Sequence, residues 1–140
     1  LGFYLSLHFI FALLGFIFFD MSSKILIVDD EPNIVLSLEF LFRKQGFEVF
    51  IARDGAEALA ILEKQTPDVA ILDIMMPNVD GYEVCKQIKQ NLALPTKVAF
   101  LTAKTKEADI QKGYEMGADL YITKPFSTRN LLKQIQDLLI

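Results

Sequence analysis

The sequence predicts an α/β domain, a doubly wound five-stranded parallel sheet with helices on both faces. Two observations carry that prediction. From Lys24 onward, five short apolar runs alternate with five longer amphipathic ones, the rhythm of a parallel sheet with crossover helices. Two of the runs, Ile25–Val28 and Val69–Leu72, are apolar at every position, as strands buried on both faces must be.

The first strand falls at 24–28 (KILIV) and stops at three acids, Asp29, Asp30 and Glu31. Pro32 follows near the first turn of a helix over 33–45, where its missing N–H costs little. Glu31 suits helix-terminal electrostatics. Gly46 closes that helix as a C-terminal cap. The second strand, 47–51 (FEVFI), carries Glu48 mid-run and suits an edge. A helix over 55–65 and a loop holding Pro67 lead to the third strand at 68–72 (DVAIL). Helix 81–90 and a loop with Pro95 precede the fourth strand, 97–101 (KVAFL). Helix 106–116 ends at Gly117, the fifth strand is 119–122 (DLYI), and a last helix spans 128–139. In that helix Leu131, Leu132, Ile135, Leu138 and Leu139 mostly face the sheet. Tyr82, Tyr114, Phe100 and Phe126 read as packing.

The chain has 140 residues and a formal charge of −4, one domain with enough length for a core. Residues 21–140 carry all 14 basic side chains and, Asp20 excepted, all 18 acidic ones. No Lys/Arg stripe forms, so nothing favours direct nucleic-acid binding. The single cysteine, Cys85, excludes an intramolecular disulfide and fits a reducing compartment. The only histidine, His8, lies in the apolar stretch 1–20, which makes a histidine-built zinc site implausible. That stretch is set apart from the domain at 21–140. As a helix, Gly2–Phe19 would span about 27 Å, close to a bilayer core. It has no basic n-region and no small-residue cleavage site, and so makes a poor signal peptide. It is either a membrane anchor or a non-native extension before a natural start at Met21. Leu1 in place of methionine, and the clean domain start MSSKILIV, favour the extension.

Polar residues follow the strands at one rim: Asp29 and Asp30 after the first, Asp73 after the third, Thr102 after the fourth, Thr123 and Lys124 after the fifth. Ligands of open α/β sheets bind outside the carboxyl ends of the strands. Singly, these residues have plainer roles. Asp30 or Glu31 suits an N-cap, Thr102 suits a cap for the 106–116 helix, and Lys124 suits the surface. Jointly they describe a site. Three converging carboxylates repel one another unless their pKa values rise or a cation joins them. Oxygen-only ligation suits Mg²⁺, and Mg²⁺ beside a lysine suits a phosphoryl group. Asp73 is then a candidate nucleophile and Thr102 a donor to a phosphoryl oxygen. No Walker-type or dinucleotide-binding glycine motif is present.

Five stretches in order, ILIVDDEPN, DGAEAL, DVAILDIMMPNVDGYEVC, FLTAK and GADLYITKPF, closely resemble the receiver domain of bacterial two-component response regulators, over about residues 23–140. The resemblance implies a flavodoxin-like sheet of order 2-1-3-4-5. It implies Asp73 as phosphoacceptor, Asp30 as a direct Mg²⁺ ligand and Asp29 as one acting mainly through water, with Asp73 itself and the carbonyl of Met75 completing the protein ligands. Lys124 would pair with the phosphoryl group, Thr102 and Tyr121 would form the switch, and Lys124–Pro125 would be cis. Pro77 and Gly81 match the loop after the acceptor, and Met75 and Lys104 occupy positions that tune self-dephosphorylation. The donor would be a histidine kinase or histidine phosphotransfer protein, and the 105–139 face would read out the phosphorylated state.

With its only histidine at His8, the receiver segment has no donor of its own. Nothing follows the last helix, so the expectation is a stand-alone receiver, a relay intermediate or a fragment of a longer regulator, cytoplasmic and held at the membrane only if 1–20 is an anchor. It would not be a turnover enzyme, since it would only accept and release its own phosphoryl group. Two other classes compete. A pseudo-receiver would keep the fold without the chemistry, against which Asp30, Asp73, Thr102 and Lys124 stand together. A Mg²⁺-dependent phosphatase would want an acid two positions after Asp73, where Met75 stands.

Overall fold

A computed structural model describes residues 22–140, so the stretch 1–20 lies outside the described residues. Five parallel strands stand in the order β2-β1-β3-β4-β5. They are β1 (Lys24–Val28), β2 (Glu48–Ala52), β3 (Val69–Leu72), β4 (Lys97–Thr102) and β5 (Leu120–Thr123). The helices are α1 (Pro32–Lys44), α2 (Gly55–Leu62), α3 (Gly81–Lys86), α4 (Glu107–Glu115) and α5 (Thr128–Leu138). The expected rhythm and the edge position of the Glu48 strand both hold.

The strands are apolar on both sides because the sheet feeds two cores. Side chains of successive strand residues point to opposite faces. Ile25, Ile27, Val69, Ile71, Ala99 and Leu101 face one way and pack with Leu38 and Phe42 of α1 and Leu131 and Ile135 of α5. Leu26, Val28, Ala70, Leu72, Val98 and Phe100 face the other and pack with Ala58 of α2 and Tyr82, Val84 and Cys85 of α3. Residues Ile25–Val28 are wholly buried, so β1 is fixed at the centre of both cores.

Local chemistry sets the helix ends. Pro32 opens α1. Asp54, Asp80 and Ser127 cap α2, α3 and α5 by accepting from the amides of Glu57, Glu83 and Asn130, which satisfies donors the helices leave free. Gly46 and Gly117 close α1 and α4 with φ of 90° and 103°, a backbone that glycine adopts without strain.

Several boundaries differ from expectation. The Phe47 amide bonds the Phe42 carbonyl of α1, so β2 begins one residue later. Thr102 and Thr123 are the last, mutually paired residues of β4 and β5, not loop residues beyond them. The expected 81–90 helix splits: α3 ends at Lys86, and Gln87–Asn91 form a π-turn. There the Leu92 amide bonds the Gln87 carbonyl at 2.8 Å and the Leu94 amide bonds the Ile88 carbonyl at 2.9 Å. The wider turn leads into Ala93 at φ 48°.

Candidate functional site

Four of the five strands deliver functional side chains to the carboxyl rim. Asp29 follows β1, and its amide bonds the Ala52 carbonyl at 3.2 Å. Asp73 follows β3, its amide bonded to the Val28 carbonyl at 2.9 Å. These backbone bonds lock both acids to neighbouring strands, and both are buried, Asp29 at 2% and Asp73 at 4% exposure. Asp30 is exposed at the mouth. Oxygen atoms of Asp29, Asp30 and Asp73 all lie within 4.8 Å of one another.

Lys124 reaches this cluster from β5. Its amide bonds the Thr102 carbonyl at 2.8 Å, and the Lys124–Pro125 bond is cis. The ammonium donates to Asp29 Oδ2 at 2.9 Å, Glu31 Oε1 at 3.0 Å and Asp73 Oδ2 at 3.3 Å. One cation thus serves three carboxylates. Burial works against the Lys124 charge, but pairing with Asp29 and Glu31 and the field of Asp73 outweigh it and raise its pKa. Burial pushes the Asp29 carboxyl up, only partly offset by the Glu31 amide and Lys124. A single lysine therefore leaves the buried pocket short of positive charge.

Sequence reasoning gave Glu31 a helix-terminal role. Glu31 does stand at the helix terminus, as the N-cap residue of α1 without a side-chain capping bond, and its carboxylate also pairs with Lys124. Pairing across about ninety residues leaves no local signal in the sequence.

The acceptor segment is tightly wound. Asp73 Oδ1 accepts from the Met75 amide at 3.2 Å, while the Met75 side chain is exposed. Asn78 adopts φ 66°, and the Gly81 amide bonds the Ile74 carbonyl at 3.0 Å. A Cβ on Gly81 would collide with the Asp73 carbonyl oxygen and stand 2.8 Å from Ile74 Cα. Glycine is required here because α3 begins in contact with the acceptor backbone.

Thr102 is fully buried, and its Oγ1 accepts from the Lys104 amide at 3.4 Å. It does not cap α4, whose N-cap is Lys106. Tyr121 Oη donates to the Lys104 carbonyl at 2.8 Å, so both residues bear on the same two-residue step of the β4–α4 loop. Every sequence-predicted site residue therefore lies at or beside one rim.

The donor set fits a small hard cation. It is all oxygen, comes from two loops, and leaves Asp30 open to solvent, as suits a cation that keeps several of its waters. The family model described as "response regulator receiver domain" matches residues 25–136. The chain belongs to that family. As a receiver it is similar to the chemotaxis response regulator CheY4 of Vibrio cholerae, with 36% identity over 85% of this chain and 100% of that one and a TM-score of 0.78. The signal receiver domain of a signal transduction histidine kinase from Syntrophus aciditrophicus shares 34% identity over 84% of this chain and 90% of that one, with a TM-score of 0.77. The BeF3-activated DrrB receiver domain shares 34% identity over 85% and 98%, with a TM-score of 0.78. The receiver family serves phosphorylation-activated signalling in two-component systems, whose receivers take phosphoryl groups from histidine kinases. No helix among the described residues is long and apolar enough to cross a membrane.

Proposed function

We propose that this receiver accepts a phosphoryl group on Asp73 from a histidine kinase or histidine phosphotransfer protein and signals through the 105–139 face. The observation that carries this reading is the convergence of the Asp73 carboxylate and the Lys124 ammonium, 3.3 Å apart, beside Asp29. An Asp73 oxygen attacks the phosphorus of the phosphohistidine. The O–P bond forms as the P–N bond breaks, and the imidazole leaves with the electron pair and takes up a proton. Lys124 is placed to pair with the phosphoryl oxygens once Asp73 has lost its negative oxygen to the new bond. The Thr102 hydroxyl is available as a further donor.

Asp29, Asp30, Asp73 and the Met75 carbonyl would hold Mg²⁺, which when bound neutralises charge developing on the phosphoryl oxygens. The chain turns over no separate substrate: acceptance and later hydrolysis both occur on its own Asp73. Phosphorylation biases a two-state equilibrium of the β4–α4 loop through Thr102 and Tyr121. We place the protein in the cytoplasm, in keeping with its one cysteine, which is buried and unpaired.

The test is an intact mass of the full chain after incubation with Mg²⁺ and a small acyl phosphate. One alkali-labile phosphoryl adduct is expected, absent from Asp73→Asn. No adduct with any donor makes the protein a pseudo-receiver, and turnover of varied phosphate esters makes it a phosphatase.

A further inference from the structure

Two tyrosyl hydroxyls hold the stretch that follows Thr102. Tyr121 Oη donates to the Lys104 carbonyl at 2.8 Å, and Tyr82 Oη donates to the Asp109 carbonyl at 3.1 Å. Asp109 lies in the first turn of α4. The two rings flank Phe100, with centroids 5.6 Å away for Tyr82 and 5.8 Å for Tyr121. Phe100 stands two residues before Thr102 on β4. Sequence reasoning assigns Tyr121 to the switch and Tyr82 to packing, yet the structure gives both the same kind of contact.

Tyr82 differs from Tyr121 in what lies behind it. It follows Gly81, whose backbone is pressed against the Asp73 carbonyl, and it sits in the first turn of α3, whose cap is Asp80. The phenol is 7% exposed, with the Lys112 ammonium 4.4 Å above its ring. Burial and the nearby Asp109 and Asp80 carboxylates raise its pKa, which keeps the hydroxyl a donor. A leucine or phenylalanine would pack against Phe100 equally well and would not reach α4 with a hydrogen bond.

We propose that Tyr82 is a second positioning residue of the switch, its hydroxyl coupling the acceptor segment 73–81 to the first turn of α4. The proposal rests on the phosphoacceptor reading given above. A phosphoryl group on Asp73 alters the contacts of the 73–81 segment. The adjoining, rigid Tyr82 side chain passes that change to the Asp109 carbonyl, in parallel with the route through Thr102 and Tyr121. The β4–α4 stretch is thereby held at both ends, and the output face answers to the acceptor loop as well as to the switch hydroxyl.

Hydrogen exchange of peptides covering 107–115 tests this in the full chain and in Tyr82→Phe, each with and without Mg²⁺ and a small acyl phosphate. Intact mass and thermal midpoint are recorded on the same samples. Tyr82→Phe should keep the ring packing and the adduct yield and lower the midpoint by only a few degrees. Its resting α4 amides should exchange roughly five-fold faster, the factor one neutral hydrogen bond carries. The phosphoryl-dependent change in α4 protection should fall to roughly half or less of the wild-type change. Wild-type exchange and a wild-type phosphoryl response in Tyr82→Phe overturn the proposal while leaving the acceptor reading standing. Absence of an adduct from the wild-type chain overturns the acceptor reading, and the coupling with it.

Discussion

The two rims of the sheet use polar side chains in opposite ways. At the amino rim each group has partners that serve the fold. Asp68 accepts from the Lys24 amide at 2.7 Å. Thr96 donates to the Pro67 carbonyl at 2.7 Å, and Asp119 accepts from the Val98 amide and the Lys89 ammonium, both at 2.8 Å. At the carboxyl rim Asp29, Glu31 and Asp73 share one ammonium, and Asp30 adds a further acid. Carboxylates that stabilise a fold are matched to their donors. Carboxylates crowded beyond their donors mark a place where a ligand's charge is needed.

The largest expected effect follows from emptying the crowded rim of its cation. Lys124→Met should slow phosphorylation of the chain by about 100-fold, the usual loss when a charge-stabilising donor is removed, measured as the initial rate of adduct formation. A rate within two-fold of wild type would erase the distinction between the rims. The matched change at the other rim is Asp119→Ala. It strands the Val98 amide and the Lys89 ammonium and should cost about 1–3 kcal/mol of stability, read by denaturant unfolding, with the rate of adduct formation unchanged. An equal loss of phosphorylation there would mean that both rims serve the site.

The effect that bears least on phosphorylation concerns Cys85, buried near the amino-rim pair. Burial pushes its thiol up to about 11 from 9.0, with Lys89 lowering it and Asp119 raising it. At pH 8 alkylation should run about 100-fold slower than for a free thiol, because thiolate falls tenfold per unit. The raised pKa means that the folded state holds this proton more tightly than the unfolded chain. The contribution to stability is therefore complete below about pH 9 and is lost as pH rises through about 11. Rapid alkylation at pH 8 would show that α3 opens easily.

Much of this was legible before any coordinates. Ile25–Val28 and Val69–Leu72 announce buried parallel strands, Gly46 and Gly117 mark helix ends, and the acids and Lys124 name the rim. What escaped depends on distant partners or on backbone without a residue signature. Glu31 reads only as a helix-terminal charge because its partner, Lys124, follows the last strand, 93 residues away. Tyr82 reads as packing because its acceptor is a carbonyl 27 positions away. The Gln87–Asn91 π-turn leads to Ala93 at φ 48°, and an alanine does not advertise a left-handed backbone.

The central claim is that the crowded rim exists to phosphorylate Asp73. The most direct measurement reduces the phosphorylated full chain with borohydride, which converts an acyl phosphate to the alcohol, and then maps the altered residue by peptide mass. The account predicts a single modified position, Asp73, whose labelling requires Mg²⁺. Modification at Asp29, Asp30 or any other carboxylate, or equal labelling of Asp73 without Mg²⁺, would contradict it.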